Sequence, residues 1–296
     1  MSHAVGPADP PVRDITLGDL LREAAEAAPD RVALIEGVAD PTSRRRWTYR
    51  ELHDDAVRAA RAIALRFSPG ERVAVWAQNI PEWVVLEFGC ALAGVVLVTV
   101  NPTYRRRELG YVLEHSGAAG LFVVREFRNN PMLATAESVA AECPELREIV
   151  RLDDWSGFLA SADRFEDELP TVDPVDPMMI QYTSGTTGSP KGALLHHRGL
   201  ANNGAHVAGR MGVSDGSVFV TMMPLFHTGG SVMCVLGCVA RRATQVLVEA
   251  FEPGLVLELL DTYGVQAMLA VPTMLVAMLE HPDLSSTDLS RLQAMA

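Results

Sequence analysis

Cysteine is scarce: Cys90, Cys143, Cys234 and Cys238 are the only four in 296 residues. They lack the paired spacing of a metal site, so their expected role is as small buried apolar residues, and nothing demands an oxidising compartment. Cys234 and Cys238 stand four apart and fit one face of a helix. Positive charge is also short, with 25 Lys and Arg against 37 Asp and Glu, a net charge of −12. Nucleic-acid partners want a basic face, and this balance argues against one. The first residues, Met1-Ser2-His3-Ala4-Val5-Gly6-Pro7, have neither a basic n-region nor an apolar h-region. They do not read as a signal peptide, and a cytoplasmic location is expected. Uninterrupted apolar runs are missing too. Residues 84–100 enclose Glu87 and break at Gly94. Residues 218–240 carry no Asp, Glu, Lys or Arg, but Pro224, His227 and the Gly229-Gly230 pair interrupt them. That span reads as a buried strand, loop and helix, not a membrane crossing. There is no internal repeat and no low-complexity segment.

What remains is a globular composition, 48% hydrophobic and 21% charged, long enough for about two domains or subdomains. Helical and strand-like stretches alternate. Helices are expected at 17–28, from the Thr48/Glu51 capping-box pair to about 67, from Pro81 onward, and at 105–114. Strands are expected between them at 31–36, 72–77, 95–100 and 120–124. Residues 152–177, rich in Asp, Glu and Pro, read as a connector with one short helix at 155–160. Alternation then resumes, with strands at 178–183, 193–196, 218–222, 244–248 and 265–270 and helices at 199–211, 253–263 and 272–280. This pattern predicts an α/β fold of parallel-sheet layers flanked by helices. The connector suggests a first α/β subdomain over 1–176 and a second over 177–296. The last residues, Leu292-Gln293-Ala294-Met295-Ala296, read as the start of a buried strand, as if the second subdomain were cut short.

One loop carries most of the chemical information. Residues 182–192 read Tyr-Thr-Ser-Gly-Thr-Thr-Gly-Ser-Pro-Lys-Gly. Hydroxyls at Thr183, Ser184, Thr186 and Thr187 can donate to oxyanions, and Lys191 adds a point charge. Gly185, Gly188 and Gly192 let the backbone turn tightly and approach a ligand. Together they describe a polyphosphate cradle. It is not a Walker loop, because Lys191 follows Pro190 and precedes Gly192, and a strand-like Ala193-Leu194-Leu195-His196 comes next.

This loop resembles the phosphate-binding signature of the adenylate-forming superfamily, which includes acyl-CoA synthetases, luciferases and the adenylation domains of peptide synthetases. Three further blocks agree: Trp47-Thr48-Tyr49-Arg50-Glu51-Leu52, Val100-Asn101-Pro102-Thr103-Tyr104-Arg105, and Met223-Pro224-Leu225-Phe226-His227-Thr228-Gly229-Gly230, which looks like the family's acyl-pocket segment. The resemblance covers nearly the whole chain and is strongest to bacterial medium- and long-chain fatty acyl-CoA ligases.

The resemblance implies a two-step reaction. A carboxylic acid, expected to be a fatty acid, reacts with ATP to give an acyl-adenylate and pyrophosphate, and CoA then takes the acyl group. ATP, Mg²⁺ and CoA are the implied cofactors and co-substrates, with catalysis resting on fixed donors and the metal. By the same resemblance Thr183, Ser184, Gly185, Thr186, Thr187, Gly188 and Lys191 hold the β- and γ-phosphates. Thr183 is the position that lies near Mg²⁺, and Lys191 has a supporting role. His227 lines and gates the acyl site, where Gly229 and Gly230 leave room for the acid. Relatives continue beyond the position of Ala296 with the adenine and ribose contacts and a mobile domain bearing the main catalytic lysine. The chain alone is therefore expected to be inactive. A non-catalytic nucleotide-binding remnant and an enzyme loading a carrier protein are the alternatives. The adjacent His196 and His197 would face opposite sides of a strand and make a poor metal pair. The arginine runs 44–46 and 105–107 read as solvated faces.

Overall fold

Stretches such as Val73-Ala74-Val75-Trp76 are apolar on both alternating faces, which suits a parallel strand covered on both sides. The computed structural model describes residues 11–183 and 190–295. In chain order its first half contains α1 (Leu17–Ala27), β1 (Val32–Gly37), β2 (Arg46–Thr48), α2 (Tyr49–Ala64), β3 (Arg72–Trp76), α3 (Pro81–Ala93), β4 (Val96–Val100), α4 (Arg106–Ser116), β5 (Gly120–Val123), α5 (Met132–Ala140), β6 (Glu148–Arg151) and α6 (Trp155–Ala160). There follow β7 (Pro177–Thr183), β8 (Lys191–His196), α7 (His197–Arg210), β9 (Val218–Thr221), a π-helix (Gly229–Leu236), α8 (Gly237–Ala240), β10 (Thr244–Val248), α9 (Pro253–Thr262), β11 (Ala267–Leu269), α10 (Pro272–Leu279) and β12 (Ala294–Met295).

The strands form two sheets of six, ordered β6-β5-β3-β4-β7-β8 and β12-β11-β9-β10-β1-β2. Each is parallel except for one antiparallel edge strand, β8 in the first and β2 in the second. Helices α2 and α3 pack closely together, and contacts run from α2 to β1 and β2 and from α3 to β4. They lie as a layer shared by both sheets. Every residue of α3 except Leu92 is buried, as a helix enclosed on all sides requires. Its Glu87 has no exposed surface, and burial raises its carboxyl well above the usual range, so it sits there neutral.

The expected α/β layers are therefore present, but the sheets do not divide after residue 176. β7 and β8 complete the sheet built by β3 to β6, while β1 and β2 join β9 to β12. The acidic connector is a surface crossing, because the apolar face of β7 finds its partner in β4, with Leu97, Val98 and Thr99 opposite Met179, Ile180 and Gln181. Three elements were not anticipated, β2, α5 and β6. Helix α5 has no side-chain cap, and β6 is a short strand with one buried residue. The arginine run 105–107 is exposed as expected and so are Arg45 and Arg46, but Arg44 is buried. The Arg44 side chain is 2% exposed, donates to both carboxylate oxygens of Glu258 at 3.1 and 2.6 Å and to the Val38 carbonyl at 2.8 Å, and ties the β1–β2 turn to α9. Arg45 bridges Glu36 of β1 and Glu82 of α3, and the Glu36 contact leads in raising its guanidinium pKa. Arg105 donates to Asn130, and Arg106 pairs with Glu142.

The two adjacent histidines part at an element boundary instead of flanking one strand. His196 ends β8 and caps α7, its Nδ1 accepting from the Gly199 N–H at 3.0 Å. His197 opens α7, is fully buried, and accepts from the Leu17 N–H at 3.3 Å. Burial lowers His197 to about 4, outweighing the opposing pull of Asp176. The unfolded chain then binds more protons than the folded one between that value and the ordinary 6.5. Stability from neutral His197 is complete above this window and is lost as pH falls through it. Acid unfolding should show the effect: His197→Gln is expected to flatten the fall in unfolding free energy between pH 7 and 4.5 by roughly 2–3 kcal/mol.

Gly204 sets how closely α7 approaches the π-helix. A Cβ there would meet Leu236 Cβ and the Val232 carbonyl at 2.8 Å and the Gly237 nitrogen at 3.0 Å. Alanine improves helix propensity by about 1 kcal/mol, yet two of the three obstructing atoms are backbone. Gly204→Ala is therefore expected to destabilise the protein by about 1–3 kcal/mol in urea unfolding.

Candidate active site

The phosphate-type loop closes the β7–β8 hairpin. Ser184, Gly185, Thr186, Thr187 and Gly188 lie outside the described residues. Its two ends are described: Thr183 and Lys191 are register partners, both exposed at the mouth of the hairpin. One pair behind them, Tyr182 opposes Gly192, where a Cβ would lie 3.3 Å from the tyrosine ring. The Tyr182 hydroxyl bonds His115 Nδ1 at 2.8 Å, and Tyr111 stacks on His115 with ring centroids 5.3 Å apart. Tyr111 also donates to the Pro190 carbonyl at 2.9 Å. Helix α4 thus braces both legs of the hairpin. Burial, then the neighbouring Tyr111, push Tyr182 up to about 12, so it remains a neutral phenol.

The second predicted segment, residues 223–230, leaves β9 and enters the π-helix, a rare form frequently found at functional sites. His227 is exposed, with Nδ1 accepting from the Gly229 N–H at 3.1 Å. The two glycines are buried. A Cβ on Gly230 would lie 2.3 Å from the Pro224 carbonyl oxygen, so its missing side chain is taken up by the chain's own backbone and not by open space. Gly229 is less confined, with Met223 Cε at 3.2 Å and His227 Nδ1 at 3.4 Å from such an atom.

Three residues absent from the sequence reading hold this segment. Asn79, just beyond β3, donates to the carbonyls of Met223 and Val248 at 3.1 and 3.0 Å and accepts from the Leu225 N–H at 2.9 Å. Thr99 of β4 donates to the Phe226 carbonyl at 2.8 Å. Gln181 of β7 donates to Ser231 Oγ at 3.1 Å. Thr99 and Gln181 are register partners in adjacent parallel strands and share a face of the sheet. These residues lie at or near the carboxyl ends of β3, β4 and β7, the edge where open α/β sheets place their ligands. The only sequence signal for them was their position at strand ends. Beside the segment, a cleft of about 390 Å³ opens between β8, α7 and the π-helix, lined by Leu194, Leu200, Asn203, Thr228, Val232 and Met233 among others.

Among the described residues no group of three or more His, Cys, Asp or Glu is placed to hold a metal. Thr183 offers one exposed hydroxyl at the loop mouth. That fits a Mg²⁺ ion carried mainly by phosphate and water, not one caged by protein. No described helix is long and apolar enough to cross a membrane. All four cysteines are buried and free.

Comparison with known proteins decides the family, since the AMP-binding enzyme family matches residues 21–296. The chain belongs to it. Among this family's members, YngI of Bacillus subtilis, which bears an acyl-CoA synthetase name, is 32% identical over 94% of this chain and 55% of its own length. The human mitochondrial medium-chain acyl-CoA ligase ACSF2 is 29% identical over 94% of this chain and 50% of its own. The crystal structure of a long-chain-fatty-acid-CoA ligase, FadD1 of Archaeoglobus fulgidus, superimposes with a TM-score of 0.85 at 25% identity, covering 98% of this chain and 59% of that one. The two-sheet fold is thus that of the N-terminal domain of acyl-CoA ligases, and the chain spans about half the length of the curated relatives it matches.

Asn79 has the most to lose by truncation in this AMP-binding domain. Asn79→Ala leaves one N–H and two carbonyls without their partner, each buried group costing about 1–3 kcal/mol. Thermal or urea unfolding is expected to show a loss of at least about 2 kcal/mol, and Asn79→Asp no smaller a one, because its second carboxylate oxygen would face the Met223 and Val248 carbonyls with no proton to donate.

Proposed function

We propose that the protein of which this chain forms part is an ATP-dependent acid–thiol ligase acting on a fatty acid. The observation that carries the reading is the placement of Thr183 and Lys191 side by side at an exposed hairpin mouth, with Gln181, two residues earlier, bonded to the segment that bears His227. In the first step a carboxylate oxygen attacks the α-phosphorus of ATP. The bond to the bridging oxygen breaks and pyrophosphate leaves. In the second step the sulfur of CoA attacks the acyl carbonyl, the mixed anhydride breaks, and AMP leaves with its electron pair while the thiol proton passes to solvent or base. Charge builds on the departing pyrophosphate, and fixed donors with a cation stabilise that charge.

On this reading Thr183, Lys191 and residues 184–188 bind the β- and γ-phosphates. Thr183 would contact a Mg²⁺ ion bound with ATP, and that ion would supply charge screening to the phosphates. The cleft beside Thr228, Val232 and Met233 receives the acyl chain, since leucine, valine and methionine side chains line most of it. His227, exposed one residue before the cleft-lining Thr228, is assigned the role of lining the path of the acid. Gly229, the less confined of the two glycines, gives the carboxylate its approach. The 296-residue chain by itself is proposed not to complete the reaction, because its relatives are about twice as long.

Acid-dependent ATP–pyrophosphate exchange in the full-length protein tests the proposal across acids from acetate to palmitate. Lys191→Ala is expected to lower the exchange rate about 10- to 100-fold. Unchanged kinetics would remove Lys191 from the site. Product analysis with CoA and with a carrier protein identifies the acceptor, and acyl-CoA is the expected product.

A further inference from the structure

The structure joins the phosphate hairpin to the His227 segment through one directed chain of hydrogen bonds. Ser231 lies inside the π-helix with no exposed surface. Its hydroxyl donates to the His227 carbonyl at 3.2 Å, and its backbone N–H donates to the same oxygen at 3.1 Å. With its proton committed, Ser231 Oγ has only lone pairs to offer, and Gln181 meets them with an amide N–H at 3.1 Å. The second Gln181 N–H points to Met179 Sδ at 3.2 Å. Gln181 is itself buried, in the strand that runs directly into Tyr182, Thr183 and the phosphate loop. The donor direction is therefore β7 to Ser231 to His227.

We infer that Gln181 is a positioning residue that sets the His227 turn against the phosphate strand, so that the acid and the polyphosphate are presented in one geometry. The inference rests on the acid-activating reading of the site. Asn79 and Thr99 hold residues 223–226 from β3 and β4, whose chains do not enter the loop. Gln181 and Ser231 form a side-chain link between the loop-bearing strand and the π-helix. Buried polar pairs of this kind specify geometry, because the alternative is an unsatisfied group in a low-dielectric interior. A change of about 1 Å in relative placement of reacting groups can cost about 100-fold in rate.

The test is a double-mutant cycle in the full-length protein with Gln181→Met, Ser231→Ala and the double variant, followed by ATP–pyrophosphate exchange. Gln181→Met keeps the volume and removes the donor. It is expected to lower kcat at least tenfold while leaving the KM for ATP within about twofold, since the loop's own donors are untouched. Ser231→Ala should do the same, and the double variant should be no slower than either single one. Multiplying effects, or a loss confined to stability with kcat unchanged in the folded variants, would overturn the coupling. A second readout does not need catalysis. In the 296-residue chain without substrate, hydrogen exchange across 227–236 should run at least tenfold faster in Gln181→Met than in the parent, with 132–140 unchanged. Equal exchange across 227–236 overturns the inference even if the parent is inactive. If the parent full-length protein shows no exchange with any acid while the amides respond as expected, the acid-activating reading alone fails.

Discussion

The fold depends on a layer of helix that has no solvent side. Two parallel sheets each need both faces covered, and α2 and α3 lie where one helical layer serves both. That is why α3 is apolar around its whole circumference, why its Gly89 lies where a Cβ would come within 2.8 Å of Ala59, and why Glu87 is held neutral inside it. Once the two sheets share this layer, their carboxyl edges are brought close enough for Asn79, Thr99 and Gln181 to reach a segment that leaves the other sheet. The candidate site exists at that junction.

The chemistry of the site divides along the same line. One sheet supplies the hairpin that presents Thr183 and Lys191, braced from behind by Tyr111, His115 and Tyr182. The other supplies the turn of residues 223–230 and the π-helix. Gly204 lets α7 approach the π-helix, and Gly230 lets the π-helix start lie against the Pro224 backbone, more closely than a side chain would allow. Of the two glycines expected to make room for the acid, Gly230 instead makes room for the Pro224 carbonyl.

Much of the architecture was legible from periodicity and capping. The Thr48/Glu51 box starts α2 as expected, with each partner bonding the other's N–H. Gly94 ends α3 in the left-handed conformation that glycine adopts freely. The apolar 218–240 stretch resolves into strand, turn and helix around Pro224 and the glycines. Helix α5 was missed because it has no side-chain cap and begins after a proline, and β6 because it is short and half-exposed. Arg44 looked solvated because charge runs usually are. Its burial follows from Glu258, which is 214 residues away in sequence.

The order of residues by itself determined the type of most elements and the family, because local hydrogen bonding and side-chain periodicity act over a few residues and a long ordered motif has few accidental copies. The tertiary structure decided which strands share a sheet, that the connector does not separate them, and that Asn79, Thr99 and Gln181 hold residues 223–231. Those contacts join residues 146, 127 and 50 positions apart. Their partners are largely backbone atoms or a serine hydroxyl, which carry no signature in the sequence. Only closure of two sheets on one helical layer brings such groups within hydrogen-bond distance of each other, and that closure is a property of the whole core.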